Sequence, residues 1–418
     1  AASDVYKRQA MNRLIPWTGE LPEYFRRLNG YNLLEKLPLL YFEGEGSSKL
    51  RYDFWRTVTQ RFIEAWTIPY GRKCEELGLK MTGHYLCEDN LIIQTQFIGA
   101  AMPHYEYMHV PGIDHLGRNI NDPLTLKQCS SVAHQFGRKR ILCEIFGCSG
   151  HSMTFEDQKW IADFHFALGI TFLCPHLTLY TQKGDAKRDY PPTFSYHQTY
   201  WPHFKLINDY FARAGYICSQ GKFYADILLL HPIGSVWATY KPEKSGDPDS
   251  PPWKYDEALV TLLDDLLALH WDFDFGDEMI IARHAHVEGE SFIVKEGKYK
   301  VVVVPPSLTW ARETVDLLAQ FLENGGRVLF VGEPPSLIDG EAAEAEWEKI
   351  LSHPRAIRVS EDRESISKAL EAILSRSVSI TDEEGEEIGD IYVHHRVEGS
   401  RHIYFLSNKS RSNTYNAV

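Results

Sequence analysis

The sequence predicts an α/β protein whose first half is the C-terminal part of a (β/α)8 TIM barrel. Three observations carry this. Short apolar runs of β type alternate with helical stretches up to about residue 233, the pattern of βα units on a parallel sheet. Polar residues gather at or just after several run ends: Glu88 and Asp89, Asp114 and His115, Glu144 followed by His151, then His176. Barrel strands present polar groups in this way at their C-terminal ends, whereas an open sheet concentrates its ligands at one switch point. The span is also shorter than the roughly 250 residues of a whole barrel, so the reading expects the first strands to be missing.

Residues 1–9 (AASDVYKRQ) read as the translation of a transposase adapter from a sequencing library and are set aside as an artefact. The barrel part is expected over residues 10–233. Its candidate strands are 79–86 (LKMTGHYL), 105–110 (YEYMHV), 140–146 (RILCEIF), 170–175 (ITFLCP) and 226–231 (DILLLH). Its candidate helices are 53–77 with a break at Pro69, 124–137, 155–168 and 201–215. Residues 234–254, rich in Gly, Pro and Ser, read as a linker. A second, smaller α/β domain is expected over 255–375. It has helices at 255–269 and 311–324 and strands at 272–275, 279–282, 301–305 (VVVVP) and 327–332. Residues 376–418 read as the beginning of a truncated β-rich domain. IYFLSN is one strand there, and KSRSNTYNAV is a turn toward a partner strand.

Composition narrows the function. Of 418 residues, 44% are hydrophobic and 24% charged, which excludes wholesale disorder, collagen and coiled coil. No apolar run reaches the ~18 residues of a membrane span. A net charge of −13 argues against binding a nucleic-acid backbone. The seven cysteines are scattered and form no C-x-x-C pair, so they read as reduced thiols of a cytoplasmic protein, although the true N-terminus and any signal peptide would lie upstream.

Glu144 is the sharpest candidate for chemistry. A carboxylate inside the apolar run ILCEIFG either faces a polar cavity or pairs with a cation such as Arg138 or Arg140. Glu88 would share a strand face with His84 if the first strand continued. Asp114 and His115 follow the next strand, and His176 ends LCPH. Arg188, in a basic loop before Asp189-Tyr190-Pro191-Pro192, belongs to a solvated loop or a lid. Trp201 is either a sugar-stacking platform or core packing. Two carboxylates on different strands of one barrel mouth suit glycosidic hydrolysis, one protonating the leaving oxygen while the other attacks the anomeric carbon or activates water. Phosphate-binding, dinucleotide-binding and nucleophile-elbow motifs are absent, and His284-Ala285-His286 reads as surface. A metal site built from His84, His176 and Asp114 stays open as an alternative.

Taken together, WTGELPEYFRRLNGYNLLEKLPLLY, LKMTGHYLCED, HVPGIDHLG, KQCSSVAHQFGRKRILCEIFG, KRDYPPTFSY and DILLLHPIGSVW resemble a bacterial family of multi-domain glycoside hydrolases. That family is distantly similar to the family 106 α-L-rhamnosidases and to the clan of the family 2 and family 42 β-galactosidases. The resemblance covers about residues 15–331 and implies several things. RILCEIFG matches the seventh-strand nucleophile position, pointing to Glu144 as nucleophile or general base. The clan's acid/base would lie just before the segment matching IPWT, where residues 1–9 now stand, or else Glu88 is the second catalytic carboxylate. His84, Asp114, His115, His176, Arg188 and Trp201 would contact substrate. The second domain would be flavodoxin-like, structural or oligomer-forming, and the tail would begin a β-sandwich. No cofactor is expected, save a calcium ion that the likeness to rhamnosidases brings in as an option. The expected function is cleavage of O-glycosidic bonds in a plant or host glycan, with the carbohydrate as partner. The rival readings are a non-catalytic carbohydrate-binding protein and a metal-dependent barrel hydrolase.

Overall fold

A computed structural model describes residues 14–417, so the adapter-like residues 1–9 lie outside the described residues. The first layer is a four-stranded parallel sheet in the order β1 (Thr82–Gly83), β2 (Val110–His115), β3 (Leu142–Ile145) and β4 (Phe172–Pro175). The helices between these strands start where their sequences supply caps. The Asn90 side chain accepts from Ile92 and Ile93 N–H ahead of Leu91–Ile98, and Asp122 accepts from Thr125 N–H ahead of Pro123–Gln135. Thr154 and Asp157 form a reciprocal capping box for Phe155–Ala167. These helices cover one sheet face, where Ile113, Cys143 and Ile145 are fully buried. The opposite face carries Asp114, Leu142, Glu144, Phe172 and Cys174 and is left open: Phe172 is 48% exposed. Among the described residues β1 and β4 do not meet, so the sheet does not close.

The second layer is a five-stranded parallel sheet built from β5 (Ile227–Leu230), β6 (Phe273–Gly276), β7 (Val301–Val304), β8 (Arg327–Val331) and β9 (Ala356–Val359). In space they run β9-β8-β7-β5-β6, which from the other edge is the 2-1-3-4-5 order of flavodoxin-like sheets. The four valines of β7 are at most 1% exposed, as a strand covered on both faces requires.

Several expectations need correction. The run 226–231, placed at the end of the barrel, is β5 of the second sheet, in register with Phe273–Gly276 and Val301–Val303. A fully buried ILLL run reads identically in either parallel sheet. Residues 234–254, read as a linker, begin within a helix, Ile233–Thr239, whose Val236 and Trp237 are buried. The strand expected at 279–282 is the helix Glu278–His284, started by the Asp277 side chain on Ile280 N–H. The second strand of the first sheet begins at Val110 rather than 105, since Met102–Tyr105 is a helical turn with proline at its start. The break at Pro69 does not occur. Ser47–Phe62 continues through a π-helical turn, Ile63–Thr67, into Ile68–Glu76, and Pro69 falls in the first turn of that last segment. The antiparallel meander Ala285–Glu288, Ser291–Val294 and Gly297–Tyr299 has no counterpart in the sequence reading.

The two layers share one core and several cross-links. Trp237 Nε1–H donates to Gly99 O (2.9 Å), Leu91 N–H to Asp256 Oδ1 (2.7 Å) and Lys127 Nζ to Asp272 Oδ1 (2.7 Å). At the C-terminal end, β10 (Ile391–Glu398) and β11 (Arg401–Asn408) form a hairpin, and β10 also pairs with the short strand Lys222–Phe223. Residues 409–417 form no strand. They fold back on the helix Phe155–Ala167, where Arg411 Nη1 reaches Asp157 Oδ1 (2.7 Å) and Trp160 Nε1–H donates to Lys409 O (2.8 Å). A hairpin alone is marginal in water, so this third strand and the helix beneath supply what it lacks.

Candidate active site

Glu144 projects from the C-terminal end of β3 onto the open sheet face, its side chain 31% exposed. An imidazole stands against each of its oxygens: His84 Nε2 is 3.7 Å from Oε2, and His176 Nε2 is 3.7 Å from Oε1. At that separation neither contact is a hydrogen bond, so any attraction is one of charge and requires the imidazole to be protonated. His84 Nδ1 lies 3.1 Å from Tyr85 O; a carbonyl only accepts, so Nδ1 carries the proton and Nε2 faces Glu144.

Asp114 lies beside Glu144, its Cα partner in the β2–β3 register. Burial raises its pKa first of all; the imidazoles of His84 and His176 oppose that shift and the Glu144 carboxylate adds to it. The four groups come from the ends of all four strands: His84 after β1, Asp114 on β2, Glu144 on β3 and His176 after β4.

The backbone around them is contorted. Phe146 and Cys148, directly after β3, have φ of 74° and 63°, and Cys87 after β1 has φ of 60°. Such strain in non-glycine residues concentrates at functional sites. Between the first two lies Gly147, where a Cβ would sit 2.8 Å from Leu116 Cδ2 and 3.2 Å from His176 Cγ, so a side chain there would press on both neighbours.

The remaining predicted residues are not part of this cluster. Glu88 is 4% exposed, because β1 ends at Gly83 and the chain turns at Cys87 instead of continuing as a strand. Its Oε1 accepts from Tyr85 N–H (2.8 Å) and Tyr105 O–H (2.5 Å), and burial pushes its pKa up to about 8. Its backbone carbonyl accepts from Gln94 and Gln128 side chains, so Glu88 anchors a buried network rather than the open face. His115 points the other way from Asp114, as alternation along a strand demands. It is buried edge-on against His165 (4.7 Å) with both ring nitrogens unpartnered, and burial lowers its pKa to about 4. Arg188 is exposed in the turn Gly184–Arg188, 3.6 Å from Asp185. Trp201 stacks on Phe204 (5.6 Å), half-exposed at the rim of an aromatic cluster.

The loop residue that does reach the cluster is Tyr190, its ring 5.6 Å from that of His176. The loop is tied to the segment after β3 by His151 Nε2 on Lys187 O (2.7 Å) and Gly150 N–H on Pro191 O (3.0 Å). An aromatic ahead of two prolines was the available signal, overshadowed by the basic run before it. Among the described residues no group of acidic, His or Cys side chains is arranged to hold a metal. Calcium wants oxygen donors, and two of the four groups in this cluster are imidazoles, so it does not fit calcium.

Polar groups delivered to one open face by the ends of successive parallel strands, with a carboxylate at the centre, form the kind of arrangement that barrel enzymes present at the C-terminal ends of their strands. The chain belongs to the α-L-rhamnosidase family of glycoside hydrolases, family 106, whose pattern matches residues 11–417. A putative beta-glucuronidase of Formosa agariphila is 23% identical over 94% of this chain and 32% of its own length. The solved rhamnosidase of Novosphingobium sp. PP1Y superposes with a TM-score of 0.70 at 19% identity, over 94% of this chain and 38% of that one. An exo-carrageenase of Bacteroides ovatus superposes at 0.61 with 12% identity, over 94% of this chain and 56% of that one. This chain therefore spans about a third of the curated relative it matches. At these identities the structural likenesses establish the fold. Among the described residues no helix is long and apolar enough to cross a membrane.

Proposed function

We propose that this chain carries the C-terminal half of a glycoside hydrolase's catalytic (β/α)8 barrel, followed by a flavodoxin-like domain and the start of a β-rich one. The complete protein cleaves O-glycosidic bonds, with Glu144 as nucleophile or general base. The observation that carries this reading is the placement of Glu144: at a strand end, on an open face, between His84 and His176 and beside Asp114. The exposure of Phe172 and Cys174 beside it suits a surface that four further strands would cover to complete the barrel. The general acid then comes from those strands, and Glu88 serves the fold. His84, Asp114, His176 and Tyr190 line the sugar site. The family points to terminal α-L-rhamnosyl groups of a glycan as the first substrate class to test. The described cysteines are all free, which suits a reducing compartment.

The test is turnover of an aryl-glycoside panel (α-L-rhamnoside, β-glucuronide, β-galactoside) by the complete protein and its Glu144→Gln variant. Turnover lost by about a thousandfold or more in the variant is the expected result. Binding without turnover in the parent protein would favour a non-catalytic carbohydrate-binding role, and turnover unchanged in the variant would remove Glu144 from the chemistry.

A further inference from the structure

A second cavity lies just ahead of β3, before the start of the strand that carries Glu144. This cavity of about 450 Å³ opens between the end of the helix Pro123–Gln135, the segment leading into β5, the meander strand Gly297–Tyr299, and β10. Its lining is strongly basic in a chain of net charge −13: Arg138, Lys139, Lys222, Lys298, Lys300 and Arg396 face three carboxylates. Two of those carboxylates are matched, Asp226 by Lys300 (3.0 Å) and Glu296 by Lys222 (3.1 Å). The third, Asp274, is taken by His134 Nδ1 (2.8 Å) and the Tyr299 hydroxyl (3.0 Å).

The other four cations have no carboxylate. Arg396 is 5% exposed and donates from Nε and Nη2 to the carbonyls of Gln220 and Gly221. Among the described residues Arg138, Lys139 and Lys298 make no ion pair, and Arg138 Nε is buried without any partner. A buried guanidinium N–H left unmet is costly, and its planar fork matches carboxylate and phosphate oxygens. The cavity is of small-molecule size, larger than an inorganic oxyanion needs, and the rings of Phe223 and Tyr224 line part of it.

We propose that this cavity is a second binding site, for a sugar-sized anion recognised through its phosphate or carboxylate by Arg138, Lys139 and Lys298. It is independent of Glu144 and of the hydrolytic reading. Lys139 and Lys298 are exposed and Arg138 is half-buried, so substitution at these positions should leave the fold intact, which far-UV circular dichroism checks.

Calorimetric titration of this chain with glucose 6-phosphate, galacturonate, inorganic phosphate and glucose tests it, each run on the parent chain, on Glu144→Gln, on Lys298→Gln and on Arg138→Gln/Lys298→Gln. The expected result is saturable binding of one of the two sugar anions with Kd below about 1 mM. That binding should weaken tenfold or more in the double variant, less in the single, and not at all in Glu144→Gln. It should also weaken between about 50 and about 300 mM salt. The tighter of the two anions names the group recognised. Absence of binding by both, equal binding of glucose, binding of inorganic phosphate as tight as that of the sugar anions, or binding unchanged in the double variant would each overturn the proposal.

Discussion

Replacing Glu88 with glutamine should stabilise the protein at alkaline pH and leave catalysis by the complete enzyme intact. The side chain is enclosed, and burial raises its pKa from 4.5 to about 8. A carboxyl whose folded pKa is raised stabilises most below its unfolded pKa, and that contribution drains away as pH climbs toward the folded value. The slope is about 1.4 kcal/mol per pH unit, so between pH 5 and pH 8 the parent protein should lose up to about 4 kcal/mol through this one group. Glutamine keeps the carbonyl oxygen that Tyr85 N–H and Tyr105 O–H both use, and it has no proton to lose.

The assay is urea unfolding of both proteins at pH 5 and pH 8. The midpoints should lie close together at pH 5, with glutamine the more stable by about 2–4 kcal/mol at pH 8. Glu278 and Asp274, pushed to about 8 and about 7 by burial, are common to both proteins and cancel in the difference. Parallel pH dependence in the two proteins would refute the argument. So would a variant of unchanged stability that no longer turns over substrate, which would return Glu88 to the catalytic pair.

Two further substitutions probe the parity of β2. His115→Phe should leave turnover unchanged and improve stability in acid. The buried imidazole resists protonation down to about 4, so its stabilisation is present above the unfolded pKa of 6.5 and is lost as pH falls below it, by up to about 3 kcal/mol; urea midpoints at pH 7 and pH 4.5 measure this. Gly112→Ala places a Cβ 2.5 Å from the carbonyl oxygen of Gly83, in the neighbouring strand. Backbone cannot yield as a flexible side chain can, so about 1–3 kcal/mol of stability should be lost. His84, the residue after Gly83, should move away from Glu144, lowering kcat more than it changes KM.

How much of this was readable depends on what each residue's signal can distinguish. Glu144 was legible because one charged residue in an apolar strand has few physical excuses, and the structure places it on the open face. Asp114 and His115 were read as joint substrate contacts, yet neighbours on a strand face opposite ways, and Asp114 shares a register position with Glu144 while His115 pairs with Ile145 on the helix side. Parity alone could have separated them. Glu88 could not have been placed from sequence, because a two-residue strand and a left-handed Cys87 leave no periodicity to extrapolate. The run at 226–231 failed for a different reason: burial on both faces erases the alternation that would say which sheet a strand joins.

These cases sort by one rule. A candidate site residue is legible when its polarity breaks a pattern that the surrounding chain maintains, and illegible where the pattern itself stops. Glu144 interrupts an apolar strand, whereas Tyr190 sits in a loop with no period to break and meets His176 only through tertiary contacts. The basic cavity is the extreme case. Its cations come from the segment after the helix Pro123–Gln135, the approach to β5, the meander and β10, each an ordinary lysine or arginine within its own stretch of sequence. Only the meeting of the two sheets and the hairpin turns them into a concentrated positive field in an otherwise acidic chain.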